Sequence, residues 1–278
     1  MTTLHERAAL LRRLHAREDG RPLVLPNAWD AVSARLVEEA GARAIATTSS
    51  GVSWSLGRAD GHGLARDEML AAVRRIAAAV RVPVTADVEG GYGAETPEDV
   101  AETVRGVLDA GAVGVNLEDT RRAGGPALLD PAAHAGRLAA ARAAADSSGI
   151  PLFVNARVDV YLRQAGAPET RFDETVRRAH AYVAAGADGI FVPGVADADT
   201  IGRLAAAIDA PLNVLAGPDS PDVATLAALG VARISLGGGL AEAAMALVRR
   251  AANEVLREGT YHALGGALSY AELNGLFG

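Results

Sequence analysis

Short runs of aliphatic and β-branched residues alternate along the chain with longer stretches in which apolar positions recur every three to four residues. The short runs fall near 22–28, 42–48, 83–89, 113–119, 151–158, 189–193, 211–216 and 233–237, each of a length that suits a buried strand. The stretches between them, such as DAVSARLVEEA and PEDVAETVRGVLDA, have the 3.6-residue spacing of amphipathic helices. Four of these helices run into a small-residue turn (EEAGAR, LDAGAV, VAAGAD, AALGVA), which puts Gly41, Gly111, Gly186 and Gly230 where a helix end needs positive φ. Pro22, Pro83, Pro151 and Pro211 open strand runs, where a missing N–H matters least. Strict alternation of strand and helix predicts a parallel sheet. Eight such units in 278 residues predict a closed (β/α)8 TIM barrel, an α/β fold, read as a single domain over 1–278. The opening MTTLHERAALLRRLHARE reads as an amphipathic N-terminal helix rather than a leader.

Composition narrows the chemistry more than the fold. At 50% hydrophobic and 22% charged the chain is globular. A formal charge of −7 argues against nucleic acid as a partner. No apolar run approaches the roughly 20 residues that cross a bilayer, so no membrane association is expected. With no cysteine there are no disulfides, and a cytoplasmic protein is expected. All 27 basic residues are arginine. The absence of lysine excludes Schiff-base and pyridoxal phosphate mechanisms, and the absence of cysteine excludes thiol chemistry.

Three consecutive strand runs become charged where they stop. PVTADVE ends in Asp87 and Glu89, VGVNLED in Glu118 and Asp119, and PLFVNARVD carries Arg157 and Asp159. Barrel active sites lie at the C-terminal ends of the strands, so these groups are expected at one mouth. Asp87 and Glu89, two residues apart, share a strand face. Gathering carboxylates there costs several kcal/mol per ion in lost hydration, about what a divalent cation relieves. An all-oxygen donor set suits Mg²⁺, with Mn²⁺ as a substitute. Asp60 lies in SSGVSWSLGRADGHG, a long segment after the second run that reads as a binding loop. His134 and His180 read as helix-surface residues, His62 is within reach of the mouth but has no identifiable partner, and Tyr92 reads as packing, with a role near the metal as the alternative. Gly217 and Gly237 to Gly239 fall where barrels bind phosphate, but tight strand-to-helix turns require the same glycines.

The combination of these pieces resembles the isocitrate lyase/phosphoenolpyruvate mutase superfamily over nearly the whole chain. The pieces are LPNAWDAVSARLVEEAG, Ser50-Gly51-Val52, Gly57-Arg58-Ala59-Asp60, Thr85 to Gly93, Asn116-Leu117-Glu118-Asp119 and Asn155-Ala156-Arg157-Val158-Asp159. The resemblance implies a Mg²⁺ site with Asp87 as the closest ligand and Glu89, Glu118 and Asp60 acting mostly through water. It implies that Ser50, Gly51 and Val52 bind a substrate carboxylate, partly by backbone N–H groups, and Asn213 is counted with them as a substrate contact. Arg157 is implied to grip substrate oxygens in a bidentate geometry, and Arg157 and Asp60 are the candidate catalytic residues. The resemblance also implies a homodimer or homotetramer, with the N-terminal helix and C-terminal helical extension exchanged between subunits. Where related lyases carry a cysteine-bearing loop, this chain has Arg121-Arg122-Ala123-Gly124-Gly125, and no glutamate stands near Pro193 or Gly194. Isocitrate and methylisocitrate cleavage by the usual route are thereby excluded. What remains is a Mg²⁺-dependent lyase for a small 2-oxo or 2-hydroxy carboxylic acid, decarboxylating an oxaloacetate-like acid or cleaving C–C by retro-aldol chemistry through an enolate. The alternatives are a phosphonopyruvate mutase or hydrolase and a catalytically weak 2-oxo acid binding protein.

Overall fold

The computed structural model describes residues 2–61, 63–121 and 127–278. The strands are β1 (Leu23–Leu25), β2 (Asn27–Ala28), β3 (Ile45–Thr47), β4 (Val84–Asp87), β5 (Gly114–Glu118), β6 (Phe153–Arg157), β7 (Gly189–Val192), β8 (Leu212–Leu215) and β9 (Arg233–Ser235). All pair in parallel, in the order β1-β9-β8-β7-β6-β5-β4-β3-β2. The first predicted run is split at Pro26, which has no N–H to give a ladder. Its first half pairs with β9 and its second with β3, so this one segment joins both ends of the sheet and rounds it into a barrel. Asn27 stitches the seam. Its Oδ1 accepts from the amides of Leu236 and Gly237 at 2.9 Å each, and its Nδ2 donates to the Thr47 carbonyl at 2.9 Å.

Helices surround the barrel, and their ends follow the glycines. Gly41, Gly111, Gly186 and Gly230 have φ of 93° to 102°. Each donates to the carbonyl three residues back while the next residue donates five back, which satisfies the last carbonyls of the helix. The N-terminal helix (Leu4–His15) begins in a capping box between Thr3 and Glu6. It closes the N-terminal end of its own barrel: Ala8, Leu11 and Leu14 pack with Leu23, Leu25, Ala44, Ala46, Val113 and Phe153. Gly114 makes this close approach feasible, because a Cβ there would meet Leu11 Cδ2 at 2.8 Å. The apolar face of this helix is thus buried against its own barrel.

The C-terminal helix (Gly239–Glu258) behaves differently, burying only Ala241 of its 20 residues. Val248 and Leu256 on it, and Tyr261 and Tyr270 beyond it, are exposed. Among the described residues no helix is long and apolar enough to cross a membrane.

The segment after β3 is not a plain loop. Ser49–Ser55 form a short helix, and the irregular stretch begins only at Leu56. Its serine-rich sequence has little intrinsic helical preference. Packing supplies the order: Gly51, Val52 and Ser53 are buried.

Candidate active site

The C-terminal ends of β3 to β6 bring the predicted groups together. Asp87 closes β4, in register with Asn116 of β5. Its amide donates to Thr47 Oγ1 at 2.9 Å, and its Oδ2 accepts from the Ser49 amide at 3.2 Å. The short helix thus aims its first turn at this carboxylate. Glu89 follows in the left-handed region, with φ 50°, and Tyr92 (φ 62°) and Glu95 (φ 59°) share that conformation. Such strain in non-glycine residues collects at functional sites. The Tyr92 hydroxyl donates to Glu89 Oε1 at 3.1 Å. Tyr92 is therefore more than packing, and its phenol is held well above its ordinary range by burial and the charges of Glu89, Asp87 and Asp60.

Glu118 ends β5 opposite Arg157 at the end of β6. Arg157 Nη1 lies 2.7 Å from Glu118 Oε2. Arg157 Nε and Nη2 donate to the two oxygens of Asp159 at 2.7 and 2.9 Å. The bidentate grip expected for the substrate is thus taken by Asp159, leaving one N–H on each terminal nitrogen. Burial pushes the Glu118 carboxyl up to about 8, helped by Asp159, Asp87 and Glu89 and opposed by Arg157.

Among the described residues no three acidic or imidazole groups converge closely enough to hold an ion directly. Mg²⁺ is commonly held through one or two carboxylates with several waters. The donors are hard oxygens, and Glu118 and Glu89 are buried, the carboxyl of Glu118 being pushed up by that burial. An ion of this kind fits the residues present. Asp60 sits on the exposed stretch, and its field reaches Tyr92 at the mouth.

The family model described as phosphoenolpyruvate phosphomutase matches residues 11–256. The chain belongs to that family. The family is one of enzymes. An uncharacterized protein of Mycobacterium tuberculosis is 42% identical over 219 residues, 78% of either chain. An oxaloacetate decarboxylase of a Bradyrhizobium species is 31% identical over 255 residues, covering 89% of this chain and 82% of its own. A phosphonopyruvate hydrolase solved with oxalate and Mg²⁺ superposes with a TM-score of 0.84 at 28% identity, covering 97% of this chain and 94% of that one.

Ser50 lies at the start of the short helix, its Oγ 3.0 Å from Thr48 Oγ1. The Val52 amide donates within the helix to the Thr48 carbonyl at 3.1 Å, and its side chain is buried in the core. Val52 therefore offers no backbone donor to a ligand, and that expectation narrows to Ser50 and Gly51. Asn213 is buried on β8, its Oδ1 accepting from Ser235 Oγ at 3.2 Å. The amides of Gly217 and Gly237 are taken by Ser220 Oγ and Asn27 Oδ1, and that of Gly239 by the Leu236 carbonyl, which favours turn geometry over a phosphate cradle. Arg121 is exposed, while Arg122, Ala123, Gly124, Gly125 and His62 lie outside the described residues.

The sequence reading missed a buried layer behind Arg157. Asp119 accepts from the Tyr182 hydroxyl at 2.7 Å, Arg178 Nη1 at 2.9 Å and the Asp159 amide at 2.9 Å. Thr120 Oγ1 donates to Asp159. His134 is fully buried, edge-on to Tyr182 at 4.7 Å, and not on a helix surface as expected. The adjacency of Glu118 to Asp119, and of Arg157 to Asp159 two residues on, was the available signal. Only the fold reveals that one of each pair faces the mouth and the other supports it.

Proposed function

We propose that this protein is a Mg²⁺-dependent lyase for a small 2-oxo carboxylic acid, with decarboxylation of a 3-carboxy-2-oxo acid such as oxaloacetate as its reaction. The observation that carries the reading is the meeting of Asp87, Glu118 and Arg157 at adjoining strand ends, beside the first turn of the Ser49–Ser55 helix. Asp87 would hold the ion, with Glu89, Glu118 and Asp60 engaging it through water, and the bound ion supplies a Lewis acid. The Ser50 and Gly51 amides would orient the C1 carboxylate. In the reaction the C3–C4 bond breaks, CO₂ leaves, the electron pair passes to the 2-oxo oxygen, and a proton returned to C3 yields the 2-oxo product. The two remaining Arg157 N–H groups face that developing charge, a kind of contact worth about 3 kcal/mol per donor. Decarboxylation needs no strong base.

A second reading, C–P bond cleavage of a phosphonopyruvate-like acid, is favoured by the likeness to the phosphonopyruvate hydrolase. One assay separates the two. Oxaloacetate, phosphonopyruvate and 2-alkylmalates are incubated with the protein and Mg²⁺ or with chelator. Chelator-sensitive pyruvate and CO₂ from oxaloacetate support the first reading. Phosphate release from phosphonopyruvate without decarboxylation supports the second. Binding without any product would leave only a 2-oxo acid binding protein. We further propose that the C-terminal helix packs against a second copy of the chain in a dimer or tetramer.

A further inference from the structure

Beneath the mouth the barrel encloses a cation that has no acidic hydrogen-bond partner among the described residues. Arg233 of β9 is fully buried, in register with Leu23 on one side and Asn213 on the other. Its Nε donates to Ser235 Oγ at 3.1 Å, and Ser235 Oγ donates to Asn213 Oδ1 at 3.2 Å. Neither Nη1 nor Nη2 has a hydrogen-bond partner among the described residues, and Asn213 Nδ2 has none either. Buried groups left in this condition are rare and call for a reason. Burial lowers the guanidinium to about 9, and the charge that most supports it is that of Asp87. On the other side lies neutral His15, stacked on Phe153.

The charge balance of the mouth supplies a reason. Among the described residues, Glu118 and Asp159 pair with one guanidinium, Arg157, at the strand ends, and Asp87 lies within its field. Even with a divalent ion bound, that set has no positive charge to spare when Asp87, Glu118 and Asp159 are ionised. A doubly charged acid entering it needs another cation, and replacing a buried unpaired charge by an apolar group is otherwise neutral or stabilising.

We propose that Arg233 is a positioning residue that lends the loaded mouth a fixed positive charge from inside the barrel and, through Ser235, orients the Asn213 amide for a dianionic carboxylic acid. This rests on the metal-dependent reading above. The test is calorimetry on the full chain with Mg²⁺ alone and with oxalate at saturating Mg²⁺, comparing Arg233→Met, Arg233→Gln and Arg233→Lys. The neutral variants are expected to bind Mg²⁺ more tightly and oxalate about tenfold more weakly, in keeping with a lost charge in a partly screened interior. Their melting temperatures are expected to be no lower than that of the unchanged protein, and Arg233→Lys is expected to recover most of the oxalate affinity. Unchanged oxalate affinity in a folded neutral variant would overturn the proposal, as would failure of both neutral variants to fold, which would make the arginine structural. If the unchanged protein binds no Mg²⁺ at all, the metal-dependent reading itself falls.

Discussion

Arg157 is held on three of its five N–H groups, and the partner that fixes its plane is Asp159 rather than a ligand. Asp159 is itself fixed by Thr120 and through its amide by Asp119, which Arg178 and Tyr182 anchor in turn. Misplacing a charged clamp by an ångström can slow an enzyme about a hundredfold, and Asp159→Asn is expected to lower kcat on the preferred acid by about that factor. Circular dichroism should show the fold retained, and an unchanged kcat would mean that Arg157 needs no such support. At this scale the sequence disclosed the residue types that meet at the mouth, because a strand ending in a carboxylate stands out from its apolar run. It did not disclose how hydrogen bonds are shared among them. Val52 reads like Ser50 and Gly51 in the sequence, yet its amide is used inside a helix. His134 reads as a surface residue until the helices are packed.

The N-terminal helix is the element on which the barrel floor depends, and its last residue carries a pH sensitivity. His15 is stacked on Phe153 at 3.7 Å between ring centroids, and burial pulls its imidazole down to about 3. His134 is lowered to about 3 for the same reason. A histidine depressed in the folded state takes up its proton on unfolding, so folding stability is full above about 6.5 and is lost as pH falls from there toward 3. Each histidine should contribute a slope of about 1.4 kcal/mol per pH unit in that window. Urea unfolding between pH 7 and 4.5 measures it, and His15→Phe should remove one histidine's share. An identical slope in that variant would show that the ring is not neutral in the fold. Element positions were legible because the helix-ending glycines and the strand-opening prolines act through local backbone geometry. The helix Ser49–Ser55 was not, because its middle is buried so closely that a Cβ on Gly51 would collide with Trp29 and Thr48, a packing that no local pattern encodes.

For the whole molecule, the parallel barrel was legible from the repeat of strand and helix, and its closure through a strand split at Pro26 was not. The C-terminal helix leaves Val248 68% and Leu256 83% exposed, an apolar face that a lone soluble chain seldom leaves to water. Replacing both by aspartate is expected to shift the mass in light scattering from an oligomer to a monomer while the far-ultraviolet spectrum is kept. A monomer before substitution would remove that role from the helix. The account as a whole stands on carboxylates brought from separate strands to serve one divalent ion. Asp87→Ala tests it most directly, with oxaloacetate turnover followed at saturating Mg²⁺ and the melting temperature measured alongside. The predicted result is a folded protein with no Mg²⁺-dependent turnover, and undiminished Mg²⁺-dependent turnover in that variant would contradict it.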